Sequence, residues 1–362
     1  MGRSMKDITV EQFALLERLC NACAVSGDEG EVRRIVLEEI QPYADEIRVD
    51  ALGNVLATRR GAGEKRLRVM LDAHTDEVGF MLVADEGEGV YRFEVIGGMD
   101  ARYLPGKPVL VGKAHTPGVI GVKPIHLTKE DELTHPISAD DLRIDTGPGG
   151  KAKPGDWAAF ATQFRRVGPS IMAKAIDNRI GVATLVALLK SAPPNIDLLA
   201  AFTVQEEIGL RGARVAGYAF APDLAIAIDS TPAHDLPTHD GAENTAYNTK
   251  LGLGPAIYVH NHSTLDDPRL VRFLRETAEA GNIPYQIRQP GGGGTDAGAI
   301  QRTRAGVPVV SVSVPHRYTH SPASIARVDD WKHTLALLQS ALEKMTPDLI
   351  QSTGSNCAEV KI

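Results

Sequence analysis

Apolar and polar positions along this chain switch between two periods, and the switches mark out its elements. Residues Val10 to Cys23 carry apolar side chains at helical spacing. Ser26-Gly-Asp-Glu29 has the S-x-x-E form of a capping box and predicts a second helix through about Ile40. Ile47 to Val49 and Val55 to Ala57 flank Leu52-Gly53-Asn54, the pattern of a hairpin. Short continuous apolar runs at Leu67–Ala73, Leu198–Val204, Leu224–Ile228 and Val307–Val314 read as strands, and Ile180–Lys190, Pro268–Ala280 and Asp330–Lys344 read as helices. From about Val78 to Val167 the texture changes. Tyr91–Ile96, Pro108–Val111, Val119–Val122 and Trp157–Ala161 are short β-like runs separated by Gly and Pro turns, with no convincing long helix among them. The polar stretch from Lys129 to Asp145 reads as a surface loop. The pattern predicts a small all-β module spliced into an α/β domain.

Composition narrows the partners. At 362 residues, 43% hydrophobic and 23% charged, the chain has an ordinary globular balance, and its length allows two domains or one with an insertion. The net charge of -7 comes with no Lys/Arg block, which argues against nucleic acid as a partner. No uninterrupted apolar stretch approaches ~18 residues, so no membrane span is expected. The first residues show no signal-peptide core, and Lys6 stands where a myristoylation motif beginning at Gly2 wants Ser or Thr; a cytoplasmic protein is the expectation. Cys20 and Cys23 form a single C-x-x-C and Cys357 stands alone, a pattern of half-buried helix thiols rather than of a zinc finger or a disulfide framework.

The apolar runs end in metal-type ligands. Leu67–Ala73 leads into His74, Thr75, Asp76 and Glu77; Leu198–Val204 into Gln205, Glu206 and Glu207; Leu224–Ile228 into Asp229; and Val307–Val314, a few residues on, into His320. Asp177 opens a helical pattern, where it can serve as an N-cap and still offer a carboxylate oxygen. In open α/β sheets, sites form beyond the carboxyl ends of strands. Two His and several carboxylates brought to one such edge suit a borderline-to-hard divalent ion. Asp76, two residues from His74 on an extended chain, shares its face and can orient its ring. Of the adjacent Glu206 and Glu207, one can bind metal while the other holds an attacking water. A glycosidase reading of that pair fails, because two carboxylates must flank a sugar bond ~5–9 Å apart. Gly291 to Gly294 lack the following Lys of a phosphate loop and suit close backbone approach to a substrate.

These residues lie in stretches that resemble the tetrahedral, or TET, metallo-aminopeptidases of peptidase family forty-two, the glutamyl and leucyl aminopeptidase type. The matching segments are Asp72-Ala-His-Thr-Asp-Glu-Val-Gly-Phe80, Lys174-Ala-Ile-Asp-Asn-Arg179, Val204-Gln-Glu-Glu-Ile-Gly-Leu-Arg-Gly-Ala213, Ile228-Asp-Ser230, Gly292-Gly-Gly-Thr-Asp-Ala297 and Arg317-Tyr-Thr-His-Ser-Pro322, in family order. The resemblance implies a zinc-exopeptidase-like α/β fold with a mixed central sheet, helices on both faces and an inserted small β-barrel-like domain. Residues 1–77 and 168–362 would form the catalytic domain and 78–167 the dimerisation domain. It further implies two divalent ions per subunit, zinc or cobalt, with His74 and Asp229 on one, Glu207 and His320 on the other and Asp177 bridging. Glu206 would be the general base and Asp76 the orienting carboxylate. Short peptides would be the substrates and dimers would assemble into a tetrahedral dodecamer. Two other functions stay open at this point: a related di-metal deacylase or amidohydrolase on N-acyl amino acids, and a non-catalytic oligomeric binding protein. The preferred N-terminal residue is not legible.

Overall fold

The computed structural model describes residues 5–130, 134–242, 244, 248–289 and 292–351. Gly2, Gly291, Cys357 and part of the 234–247 stretch lie outside them. In chain order the elements begin with helices α1 (Val10–Asn21) and α2 (Gly30–Ile40), then strands β1 (Glu46–Val49), β2 (Val55–Arg59) and β3 (Leu67–His74). Six short strands come next: β4 (Gly79–Gly87), β5 (Val90–Ile96), β6 (Pro108–Val111), β7 (Thr116–Gly121), β8 (Arg143–Asp145) and β9 (Trp157–Phe160). After β10 (Arg165–Val167) and β11 (Ser170–Ala173) come α3 (Ile176–Lys190), β12 (Ile196–Thr203), α4 (Arg211–Phe220) and β13 (Leu224–Pro232). The chain continues with β14 (Ala256–Ile257), α5 (Pro268–Gly281), β15 (Gln286–Ile287), α6 (Ala297–Ile300), β16 (Val309–Arg317), β17 (Ser324–Arg327) and α7 (Val328–Lys344).

The central sheet has eleven strands in the order β1-β2-β12-β3-β13-β16-β17-β11-β10, with β14 and β15 appended beside β16. Its middle is parallel: β12 to β3, β3 to β13, β13 to β16. The flanks are antiparallel, so the sheet is mixed. Alternation along each parallel strand sorts side chains to two cores. Val69, Leu71, Leu198, Phe202, Ile226 and Val312 face α1, α2, α3, α5 and α7, while Met70, Leu199, Ala201, Ala225 and Val309 face α4 and α6. Helices therefore cover both faces, which is why these strands read as apolar runs. Because β3, β12, β13 and β16 run the same way, their carboxyl ends share one edge, and that edge carries the candidate ligands.

Strands β4-β5-β8-β7-β6-β9 close a barrel between β3 and the second half of the sheet. Phe80 anchors its interior, edge-on to Phe93 and Phe160 at ring separations of 5.1 and 5.3 Å, a favoured aromatic geometry. The expected α/β fold with an inserted barrel is what the chain adopts. Two local expectations are corrected. Ser26 is not a helix cap: Glu29 precedes α2 without a side-chain cap bond, and the Ser26 hydroxyl is used elsewhere. The stretch read as a loop to Asp145 ends in β8, where Leu142 and Ile144 enter the barrel core. A single alternation, Leu142 and Ile144, is too short to read as a strand.

Candidate active site

The site stands at the carboxyl ends of β3, β12 and β16 and on one kinked helix start. Asp229 lies inside β13, which continues to Pro232 rather than stopping at Ile228. His74 ends β3 and is buried. Its Nε2 lies 3.2 Å from Asp177 Oδ1 and 3.5 Å from Asp229 Oδ1. His320, in the loop between β16 and β17, points Nε2 at Glu207 Oε2 (3.1 Å) and Asp177 Oδ2 (3.6 Å). Asp177 thus turns one carboxylate oxygen toward each imidazole. Two donor groups result, His74-Asp177-Asp229 and Asp177-Glu207-His320, and Asp177 belongs to both. The five residues expected to ligate are brought together.

Local backbone explains how these side chains are aimed. Asp177 and Asn178 hold non-helical φ/ψ at the start of α3. The cap bond that Asp177 was expected to make is made by Asn178, whose Oδ1 accepts from the Gly181 N–H at 3.1 Å. Asp177 is consequently free to face the imidazoles. After β12, Gln205 takes a left-handed φ of 58°, turning the chain so that Glu206 and Glu207 leave the strand end in different directions. Glu207 reaches His320, whereas the Glu206 carboxylate accepts no hydrogen bond among the described residues. His320 itself sits at φ 54°. The barrel closes one side: at Gly97 (φ 87°) a Cβ would stand 2.7 Å from Val78 and 3.4 Å from Glu207 Cβ, so the bare backbone passes against the site.

Asp76, expected to orient the His74 ring, makes its hydrogen bonds to other groups. Its Oδ1 is 3.6 Å from His74 Nδ1, outside hydrogen-bond distance. It accepts the Ser26 hydroxyl at 2.5 Å, the Glu206 N–H at 3.0 Å and the Glu207 N–H at 3.2 Å. A buried carboxylate thereby pins the peptides that present both glutamates. Burial pushes its pKa up, yet His74, Ser26 and the Glu206 N–H outweigh burial and hold it below the usual range.

Five carboxylates face two imidazoles here. Burial raises Glu206 and Glu207; His74 opposes the rise at Glu206 and His320 opposes it at Glu207, while neighbouring carboxylates add to it. Burial also raises Asp229, against the pull of His74. His320 is pushed down by burial but up to about 11 by Glu207 and Asp177. His74 is likewise held well above its ordinary value, by Glu206, Asp177, Asp229 and Asp76 against burial. In metal-free protein the carboxylates thus favour the charged form of both rings. Nitrogen and carboxylate donors suit zinc-like ions, and binding exchanges ring protons for metal. Glu207 Oε1, buried without a hydrogen-bond partner among the described residues, is a further donor awaiting a cation. The residues fit such ions.

A family model described as M42 glutamyl aminopeptidase matches residues 53–337. This chain belongs to the M42 peptidase family. The lysyl aminopeptidase of Pyrococcus furiosus is 32% identical over 349 residues, covering 92% of this chain and 98% of that protein. A solved aminopeptidase from the archaeon Desulfurococcus kamchatkensis superposes with a TM-score of 0.90 at 32% identity, over 97% of this chain and 99% of that one. The Pyrococcus horikoshii TET1 peptidase, whose structure assembles into a tetrahedron or a large octahedral shell, gives 0.80 at 32% identity, over 92% and 100%. M42 peptidases are metal-dependent hydrolases of peptides, so the enzyme class expected of this chain stands. The names of the matches, glutamyl and lysyl, differ in the residue removed.

In this M42 chain a second tier of charge supports the segments that carry the candidate ligands, and its members were not singled out from the sequence. Glu77, beside Asp76, is buried and receives Lys174 Nζ at 2.7 and 2.8 Å, Arg179 Nη2 at 3.0 Å and the Ala24 N–H at 3.0 Å. Lys174 and Arg179 flank Asp177 in sequence, so this cluster fixes both sides of Asp177. Their adjacency to ligands was the available signal. Under β3, Asp72 and Asp296 form a buried carboxyl pair beside Thr203, whose hydroxyl donates to Asp296 at 2.7 Å. Burial raises both, and the Asp296 charge adds to the rise at Asp72. Among the described residues no helix is long and apolar enough to cross a membrane.

Proposed function

We propose that this protein is a two-metal aminopeptidase that removes N-terminal residues from short peptides. His74 and Asp229 would hold one ion, Glu207 and His320 the other, and Asp177 would bridge. The observation that carries this reading is the split of Asp177, with Oδ1 at 3.2 Å from one imidazole and Oδ2 at 3.6 Å from the other. Zinc or cobalt fits the donor set. When bound, such ions polarise a scissile carbonyl and lower the pKa of water from ~16 toward ~7.

The chain's own residues do the rest. Glu206, whose carboxylate accepts no hydrogen bond among the described residues, takes the proton of the attacking water and delivers it to the leaving amine. Burial and the neighbouring carboxylates raise its pKa in the metal-free cluster, against the pull of His74. Asp76 holds the Glu206 and Glu207 peptides so that base and ligand keep fixed separation, and its charge lies beside the outer nitrogen of His74. Residues 78–167 would serve as the dimerisation domain; Val119, Val122, Ile125 and Leu127 are exposed apolar side chains on it, a surface suited to burial in an assembly. Dimers would build a tetrahedral dodecamer in the cytoplasm.

Replacing Glu206 with Gln tests the base. Metal content should be retained while hydrolysis of an aminoacyl p-nitroanilide falls at least ~10²-fold; unchanged activity would refute the assignment. Cleavage of N-acylated but not free aminoacyl anilides would instead support a deacylase.

A further inference from the structure

Away from the catalytic edge, three donors of different elements converge. Cys23 follows α1, Glu31 lies in the first turn of α2, and His115 ends the turn between β6 and β7 of the barrel. One atom from each, the thiol sulfur, a carboxylate oxygen and a ring nitrogen, all lie within 4.8 Å of one another. We propose that this trio is a further metal site, taking one zinc-type divalent ion that clamps the inserted barrel to the catalytic body, with water completing the coordination.

The donors are held in place from outside the trio. The Cys23 N–H donates to Glu31 Oε2 at 3.0 Å, while His115 Nε2 stands 2.6 Å from Glu31 Oε1. The neighbouring peptides are pinned as well: the Ala22 carbonyl accepts from Lys174 Nζ at 2.7 Å, and the Ala24 N–H donates to Glu77. His115 adopts φ 51°, a left-handed conformation uncommon outside glycine, and its ring meets Glu31. Lys113, in the same turn, pairs with Asp28 ahead of α2, docking the turn independently of the trio. All three residues are partly rather than fully buried, so an ion has access.

Sulfur, imidazole and carboxylate together favour zinc and cobalt over calcium or magnesium. Three protein ligands leave one position of a tetrahedron to solvent, the pattern of an exchangeable ion rather than of a closed structural one. Without an ion the Cys23 thiol is pushed up to about 11 by burial, so it is no thiolate nucleophile. Ion binding would release the thiol proton to solvent and leave the sulfur as a ligand. Through Ala22 and Ala24 the clamp is continuous with Glu77, Lys174 and Arg179, which brace the Asp76 and Asp177 segments.

The catalytic donors include no cysteine, so a thiolate signal separates the trio from the catalytic ions, and the Cys23 and Cys357 variants assign it among the chain's three cysteines. Metal-free protein should be titrated with cobalt(II) while the near-ultraviolet thiolate-to-cobalt charge-transfer absorption and peptidase activity are followed together. The expected result is a charge-transfer band in wild type and in Cys357→Ser, absent in Cys23→Ser, and weakened in His115→Ala, with peptidase activity preserved in Cys23→Ser. No band in wild type would overturn the site, whether or not the variants fold. A band surviving Cys23→Ser would assign the thiolate elsewhere and equally overturn it. A band lost with Cys23 but unchanged in His115→Ala would overturn the clamp.

Discussion

Replacing Asp76 with Asn keeps the side chain's size and removes its charge, and the geometry dictates the consequence. Asp76 accepts three hydrogen bonds: Oδ1 from the Glu206 N–H, Oδ2 from the Ser26 hydroxyl and the Glu207 N–H. An amide has one acceptor oxygen and one donor nitrogen. With nitrogen at the Oδ1 position, it meets the Glu206 N–H donor to donor. With nitrogen at the Oδ2 position, Ser26 can rotate to accept, but the Glu207 N–H meets a donor. One of the two peptides loses its partner in either rotamer, at a cost of about 1.5–3 kcal/mol for a bond to a charged group. The loop relieves that clash by shifting, and a displacement on the order of 1 Å at a reacting group costs about 10²-fold in rate. The loss of charge beside His74 adds to this, since supporting carboxylates of this kind are worth roughly 10–100-fold in metal affinity or activity. The expected outcome is a fall of about 10²-fold in kcat/KM on an aminoacyl anilide at saturating cobalt, with weaker metal binding by titration calorimetry. Ser26→Ala, which leaves the charge and both peptide bonds in place, should lose less than about tenfold, the equivalent of ~1.4 kcal/mol. Asp76→Asn with activity and metal affinity within about twofold of wild type would refute the positioning role.

Other outcomes can be checked in parallel. Glu77→Gln leaves Lys174 and Arg179 buried without their counter-charge and should lower unfolding free energy by about 3–5 kcal/mol in urea titrations. Asp330→Ala strips the acceptor from the Gly252 and Gly254 N–H groups, at 2.7 and 2.8 Å, and should destabilise by roughly 2–4 kcal/mol. Buried His316 is held neutral, its pKa pushed down to about 4 chiefly by burial, so the unfolded chain binds the extra proton below its ordinary 6.5. The stability of metal-free protein should therefore contain a contribution that is full above pH 6.5 and is lost as pH falls toward 4; His316→Asn should flatten that slope, and an unchanged slope would contradict it. Chelation should abolish peptidase activity and cobalt or zinc should restore it, as atomic absorption and anilide hydrolysis can track.

Much of the site was legible because its residues sit where strands end. An apolar run and the polar residue that stops it are neighbours in sequence, so His74, Glu206, Glu207 and Asp229 announce themselves, and parallel strands must deliver their ends to one edge. The same runs foretold a sheet covered on both faces, since apolar residues fill both alternating sets of positions in β12 and β13. What only the tertiary structure decided is who holds whom. Ser26 lies 50 residues from Asp76 and Glu206 lies 130 from it, and a local S-x-x-E pattern carries no trace of such a partner. Asp177 and Asn178 compete for the helix cap on equal local terms; Asn178 takes it because Asp177 is drawn to two imidazoles that the sheet, not the helix, supplies. Local propensity is set by near neighbours and is written along the chain. A hydrogen bond or ion pair across such separations depends on where packing leaves each buried polar group. Burial then demands that every such group find a partner wherever the fold has put one.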